Sequence, residues 1–178
     1  MKVIYEKTNS PLVISIPHSG TDIPQDIAPL CNLGAKREHT DWALQELVTP
    51  LSETTLAATV SRYIVDVNRF KPRAGKTTQP IIPRIDDVGH QLFNNYPSKQ
   101  KQADWLERYY TPYYVHLENL LNEKLEQHER VLLVDLHSYD DKLFGTSNII
   151  LGTRKKQTLN QDTLKQLQLL FHEEGLTT

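Results

Sequence analysis

Two histidines stand where a metal ion could be held. His18 follows the apolar run LVISIP (12–17) and leads into Ser-Gly-Thr-Asp, while His137 closes RVLLVDLHS (130–138). Apolar runs of this length, bounded by proline or turn residues, read as strands. In an open α/β sheet the carboxyl ends of such strands converge on one crevice. Two imidazoles there suit a divalent ion, and an Asp or Glu as third protein ligand leaves a position for water, the pattern of catalytic zinc. Water on such an ion ionises near neutral pH and can attack a carbonyl. Taken singly, a histidine at a strand end is commonly structural, so the spacing leaves both readings open. His39, His90, His116, His128 and His172 fall on polar helix faces or loops and are expected in solvent.

A second constellation is SRYIVDVNRF (61–70). Arg62 and Arg69 flank a strand-like stretch, and the second is presented as Asn68-Arg69 where the stretch ends. An arginine fork beside an amide fits a carboxylate, and a second arginine can stabilise an oxyanion. The competing fate for each is a surface salt bridge. In DLHSYDD (135–141), Asp135 lies two residues before His137 and so on the same face of a strand, where it could orient the imidazole. Asp140 and Asp141 read as turn residues, and Ser138 lacks the glycine-flanked elbow of a serine hydrolase.

These residues need elements to position them. Strands are expected at 12–17, at 59–68 with a break, at 130–138 and at 148–153, with 2–7 as an edge-like fifth. VLLVDL is apolar almost throughout, the pattern of a central strand covered on both faces. Helical spacing runs from Glu38 to Leu51, with Trp42, Leu44, Leu47, Val48 and Leu51 on one side and Thr40 or Asp41 able to cap. A longer stripe over 101–128 carries Trp105, Tyr109, Tyr113, Leu117, Leu120, Leu121 and Leu125, and Pro112 should kink or restart it. A last helix, Gln161 to Glu174, has Asn160 as cap, Gly175 as stop, and Leu164, Leu167, Leu170 and Phe171 facing inward. The proline-rich segment 69–100 reads as a long functional loop. Strands alternating with helices predict α/β with a mainly parallel sheet.

Composition narrows the partners. The 178 residues fit one domain. A net charge of −2 gives no electrostatic footprint for nucleic acid or an anionic membrane, which leaves a small-molecule substrate as the expected partner. One cysteine, Cys31, and an N-terminus without secretory character point to a cytoplasmic location, and no apolar run is long enough to span a bilayer. Oligomeric state is not legible.

Taken in order, IPHSGTDIP, HTDW (39–42), SRYIVDVNR, IIPRIDDVGHQLF and LLVDLHS resemble the N-formylglutamate amidohydrolase family, from about residue 10 to about 155. That family is similar to zinc carboxypeptidases and aspartoacylases. The resemblance implies a single-domain, three-layer α/β/α fold over 1–178, with a central, mainly parallel (mixed) sheet of phosphorylase/hydrolase-like type. It implies Zn2+, or another divalent metal, on His18, His137 and a third ligand. The peptidase pattern His-x-x-Glu fails because Thr21 stands at its fourth position, so Asp41 in the TDW motif is the first choice and Asp22 the second. Arg62 would polarise the scissile carbonyl, and Asn68 with Arg69 would grip a substrate carboxylate.

The implied reaction is hydrolysis of an N-formyl or N-acyl amide of an acidic amino acid, N-formylglutamate and water giving glutamate and formate. Lys71, Arg73 and Lys76 could favour an acidic side chain or form a solvated loop. Chains of this family continue through a Gly-Gly segment to a late glutamate that shuttles the proton, whereas this sequence reaches Thr178 soon after a helix. Weak or no turnover is therefore expected of these residues alone. The alternatives are a non-catalytic metal- or carboxylate-binding remnant and a metallo-amidase acting on a peptide or cell-wall amide.

Overall fold

The computed structural model describes residues 2–4, 8–35, 38–70, 80–140, 147–154 and 157–178. Lys71, Arg73, Lys76 and Asp141 lie outside them. The chain divides into two compact units, Met1–Ser138 and Tyr139–Thr178.

Among the described residues the first unit is built on four strands: β1 (Lys2–Ile4), β2 (Leu12–Ile16), β3 (Thr54–Ala57) and β4 (Leu132–Asp135). Their spatial order is β1-β3-β2-β4. β2 pairs in parallel with both β3 and β4, while β1 adds antiparallel at the β3 edge. The mainly parallel, mixed α/β sheet expected from the alternation of elements is therefore present. Ile14 and Ile16 of β2 and Ala57 of β3 bury one face against Leu44 and Val48 of α1 (Leu44–Val48). The other face carries Leu56 beneath Tyr113 and Leu120 of a longer helical layer. Period-two alternation in β3, Leu56 to one side and Ala57 to the other, thus feeds two cores, and burying Ile16 or Leu56 completely stabilises the fold by roughly 1.5–3 kcal/mol each.

That helical layer runs through α2 (Lys99–Trp105), a π-helical stretch (Leu106–Tyr110) and α3 (Thr111–Leu125). Ser98 caps α2 by accepting from the Lys101 N–H. Pro112 restarts the helix in the first turn of α3, where its missing N–H costs nothing. Trp105, Tyr113 and Leu120 are buried as the stripe predicted, but Leu125 lies half exposed. At the far end of α3, buried Lys124 donates to the carbonyls of Thr8 (2.6 Å) and Ser10 (2.7 Å), pinning the chain as it enters β2.

Several expected elements differ. The stretch 59–68 is not a strand; the third strand lies upstream in Thr-Thr-Leu-Ala. The residues that follow are apolar because an irregular segment is buried: Tyr63, Ile64, Val65 and Val67 all join the core. The chain bends there, the Ser61 carbonyl accepting from Ile64 and Val65 N–H. The run at β4 does not sit in the middle of the sheet. Among the described residues β4 is the last strand in the order, and Leu132 and Leu133 are 51% and 41% exposed, because an apolar run does not reveal how many neighbours a strand has. The helix expected from Glu38 begins only at Leu44, since Ala43 takes a left-handed conformation (φ 60°). Neither Thr40 nor Asp41 caps it, and Trp42, Leu47 and Leu51 are exposed.

In the second unit, 148–153 forms no strand among the described residues; the Ile149 N–H instead meets the Thr177 carbonyl at 2.9 Å. α4 (Gln161–Glu173) follows, capped by the Asn160 side chain on the Thr163 N–H and ended at Gly175 (φ 77°), as predicted. None of its residues is buried, including the four leucine and phenylalanine positions expected to face inward. An amphipathic stripe records that a helix has an apolar side, not that its own unit covers it. No helix among the described residues is long and apolar enough to cross a membrane.

Gly20 follows β2 by four residues and lies against backbone. A Cβ there would stand 2.5 Å from the Val60 carbonyl oxygen and 2.6 Å from the Thr59 carbonyl carbon. Gly20→Ala is expected to destabilise the protein by about 1–3 kcal/mol, a drop of several degrees in melting temperature. An unchanged thermal transition would show that this turn moves aside without cost.

Candidate active site

Parallel pairing of β2 with β4, in the register Ser15 opposite Asp135, sends both carboxyl ends to the same side of the sheet. His18 follows β2 and His137 follows β4, so their rings meet with centroids 4.8 Å apart. The loop before α1 brings in Asp41, whose N–H donates to the His18 carbonyl at 3.1 Å. Its Oδ2 lies 3.0 Å from His137 Nδ1 and 3.9 Å from His18 Nδ1. Ligand atoms of His18, Asp41 and His137 all fall within 4.8 Å of one another. The three residues named from sequence as metal ligands are thus brought together. Asp22, the second choice, is not among them; its backbone bridges to Val60 and its side chain is exposed.

The far nitrogen of each ring faces a carboxylate. His18 Nε2 lies 2.8 Å from Asp66 Oδ1, both residues being buried. His137 Nε2 lies 3.4 Å from Asp135 Oδ2 and 3.1 Å from Asn68 Nδ2. A histidine that donates its outer N–H to a carboxylate has its tautomer fixed, and its other nitrogen then presents a lone pair to a metal. This donor set, two Nδ1 atoms and a carboxylate with an acceptor behind each imidazole, fits a divalent cation.

Asp66 is a hub that reading from sequence overlooked. Its Oδ1 also accepts from the Asn68 N–H (2.9 Å), and its Oδ2 accepts from Arg62 (3.3 Å) and Arg69 (3.2 Å). Burial works against its charge, but the His18 hydrogen bond and the nearby arginines outweigh it and hold the carboxyl below the usual range. Burial likewise opposes the charges of Asp41 and Asp135; His137 and Ser138 hold the first down, His137 and Ser15 the second. His137 itself is disfavoured as a cation by burial, yet its bonds to Asp135 and Asp41 raise it to about 9. The signal for Asp66 was a lone carboxylate inside RYIVDV, since a charge among buried residues requires partners.

Arg62, Asn68 and Arg69, expected from sequence to meet the substrate, sit around this hub. Arg62 reaches Asp66 and the His39 carbonyl (3.4 Å) and is 17% exposed at its side chain, whereas Arg69 is 37% exposed. Asn68 is engaged with His137. The irregular backbone carrying them is held by α3 and the π-helical stretch: Tyr114 donates to the Val67 carbonyl and Tyr110 to the Arg69 carbonyl, both at 2.7 Å. Buried carbonyls outside regular structure need such donors. His39 is partly buried rather than solvated, its Nδ1 3.2 Å from Asp87, which also accepts from Tyr63.

Comparison with known proteins gives the family. The family model for N-formylglutamate amidohydrolase matches residues 10–178. The chain belongs to that family. It is 32% identical over 143 residues to an N-formylglutamate deformylase of Pseudomonas aeruginosa, covering 75% of this chain and 54% of that protein. It is 31% identical over 137 residues to that of Pseudomonas putida, covering 72% and 51%. The chain thus spans about half the length of the curated relatives it matches. The fold is shared with the crystal structure of N-formylglutamate amidohydrolase from Ralstonia eutropha JMP134, at TM-score 0.71 and 24% identity over 99% of this chain and 74% of that one.

Replacing Asp66 tests its place at the hub. Asp66→Ala leaves two arginines and a buried histidine without their shared acceptor, and a loss of about 3 kcal/mol in urea unfolding is expected. A variant within a few tenths of a kcal/mol of wild type would mean that the arginines find solvent freely.

Proposed function

We propose that this amidohydrolase-family chain carries the metal centre and the carboxylate grip for metal-dependent hydrolysis of an N-formyl or N-acyl amide of an acidic amino acid, N-formylglutamate and water giving glutamate and formate, with slow turnover from these residues alone. The observation that carries the reading is the convergence of His18, Asp41 and His137, with Asp66 and Asp135 behind the two imidazoles. The names of the Pseudomonas relatives support the substrate.

His18, Asp41 and His137 would hold the ion, with zinc the first choice. Such an ion supplies a Lewis acid that polarises the formyl carbonyl and makes water nucleophilic at neutral pH. Asp66 and Asp135 keep the outer ring nitrogens occupied, which leaves the inner ones as donors. Arg69 uses Nε on Asp66, and its terminal nitrogens remain to take the substrate carboxylate as a fork. Asn68, on the same turn, adds an amide to that grip. Arg62, more buried and held by Asp66 and the His39 carbonyl, stabilises the oxyanion that develops on the formyl oxygen.

Metal analysis decides the centre. About one equivalent of zinc per chain is expected, absent from His18→Ala and His137→Ala and strongly reduced in Asp41→Ala. A folded wild type that takes up no divalent ion, even with added zinc, would overturn it.

Formate release from N-formylglutamate separates the two arginines. Arg69→Ala is expected to raise KM by about 10–100-fold, the loss of a charged hydrogen-bond pair. Arg62→Ala should instead lower kcat by about 100–1,000-fold. Equal effects on both parameters in both variants would remove the division of labour.

A further inference from the structure

The His137 ring is connected through the sheet to a helix on its far side. Tyr113 of α3 and Ser15 of β2 are both buried, their oxygens 2.9 Å apart. Ser15 Oγ in turn lies 2.7 Å from Asp135 Oδ1, and Asp135 Oδ2 lies 3.4 Å from His137 Nε2. The order of protons along this line is forced. A charged carboxylate only accepts, so Ser15 donates its single proton to Asp135. Ser15 therefore accepts from Tyr113, whose phenol keeps its proton because burial raises its pKa well above 10.

We infer that Tyr113 and Ser15 are positioning residues for His137: their hydroxyl relay fixes the Asp135 carboxylate so that its second oxygen keeps a proton on Nε2 and turns Nδ1 toward the place beside Asp41 where the ion would sit. This inference rests on the metal reading above. Asp135 needs such a tether because its side chain is 44% exposed on the outermost described strand, where solvent would otherwise let it rotate. Ser15 is placed by the parallel register that sets it opposite Asp135, and Tyr113 by the helix restart at Pro112. Asn68, the other neighbour of Nε2, cannot make this selection. Its amide offers a donor or, turned over, an acceptor, and so serves either form of the ring, whereas Asp135 can only accept.

The test compares Ser15→Ala, Ser15→Cys, Ser15→Thr and Tyr113→Phe with wild type. Zinc affinity is measured by chelator competition, the visible absorption of the cobalt-loaded protein reports geometry, and thermal melting reports folding. Ser15→Ala is expected to weaken zinc binding by about 10–100-fold and to shift the cobalt bands. Ser15→Cys, which keeps the volume with a weak donor, should do the same. Tyr113→Phe should give a smaller loss in the same direction, and Ser15→Thr, which keeps a hydroxyl, should recover much of the affinity. Folded alanine and cysteine variants with wild-type affinity and spectrum would overturn the relay, as would an equal loss in threonine and alanine variants. If wild type binds no divalent ion, the metal reading fails by itself. The relay is then read from crystal structures of metal-free wild type and Ser15→Ala: a His137 ring displaced from Asp135 in the variant supports it, and an unmoved ring overturns it.

Discussion

Parallel hydrogen bonding on both sides of β2 is the constraint on which this site depends. Antiparallel pairing with β4 would send His18 and His137 to opposite ends of the sheet. Parallel pairing puts both carboxyl ends on one side, and the Ser15 to Asp135 register sets how far each histidine projects beyond its strand. The loop before α1 then has only to reach His18, which the Asp41 N–H does by bonding to its carbonyl. Once that bond is made, the Asp41 carboxylate faces both rings.

Charge is organised around the site in a way that offsets the cost of burial. Three carboxylates, Asp41, Asp66 and Asp135, remain ionised because each accepts from a histidine, and Asp66 from two arginines as well. An isolated carboxylate as buried as Asp41 or Asp66 would take up a proton instead. The hub at Asp66 also joins the two parts of the proposed chemistry. One oxygen meets His18 and the other meets both arginines, so the carboxylate behind the imidazole is also the one that holds the guanidinium groups.

The helical layer does more than cover the sheet. Tyr110, Tyr113 and Tyr114, from the π-helical stretch and the start of α3, send their hydroxyls respectively to the Arg69 carbonyl, to Ser15 and to the Val67 carbonyl. An apolar stripe read at helical spacing accounts for the burial of their rings but not for their polar ends. Each hydroxyl meets a group that packing alone would have left unsatisfied. In this way the irregular segment Asp66-Val67-Asn68-Arg69, which lacks ladder hydrogen bonds of its own, is held beside His18 and His137.

Local residue type and order determined much of this. His18 and His137 could be named because a histidine after a short apolar run marks a strand end, and Asp41, Arg62, Asn68 and Arg69 because they sit in motifs shared with a known family. Pro112, Asn160 and Gly175 act through backbone geometry within a turn or two, which is why their places were legible. Tertiary structure alone decided what depends on partners distant in the chain. It moved the third strand to Thr54–Ala57, left β4 outermost among the described strands and left Leu47 and Leu51 exposed. It also gave Asp66 its four donors and linked Tyr113 to His137 across 24 residues of chain through β2 and β4. Hydrophobic periodicity states that a side chain prefers burial; which neighbour buries it, and which carboxylate ends up behind which imidazole, is fixed only when strands pair and helices dock.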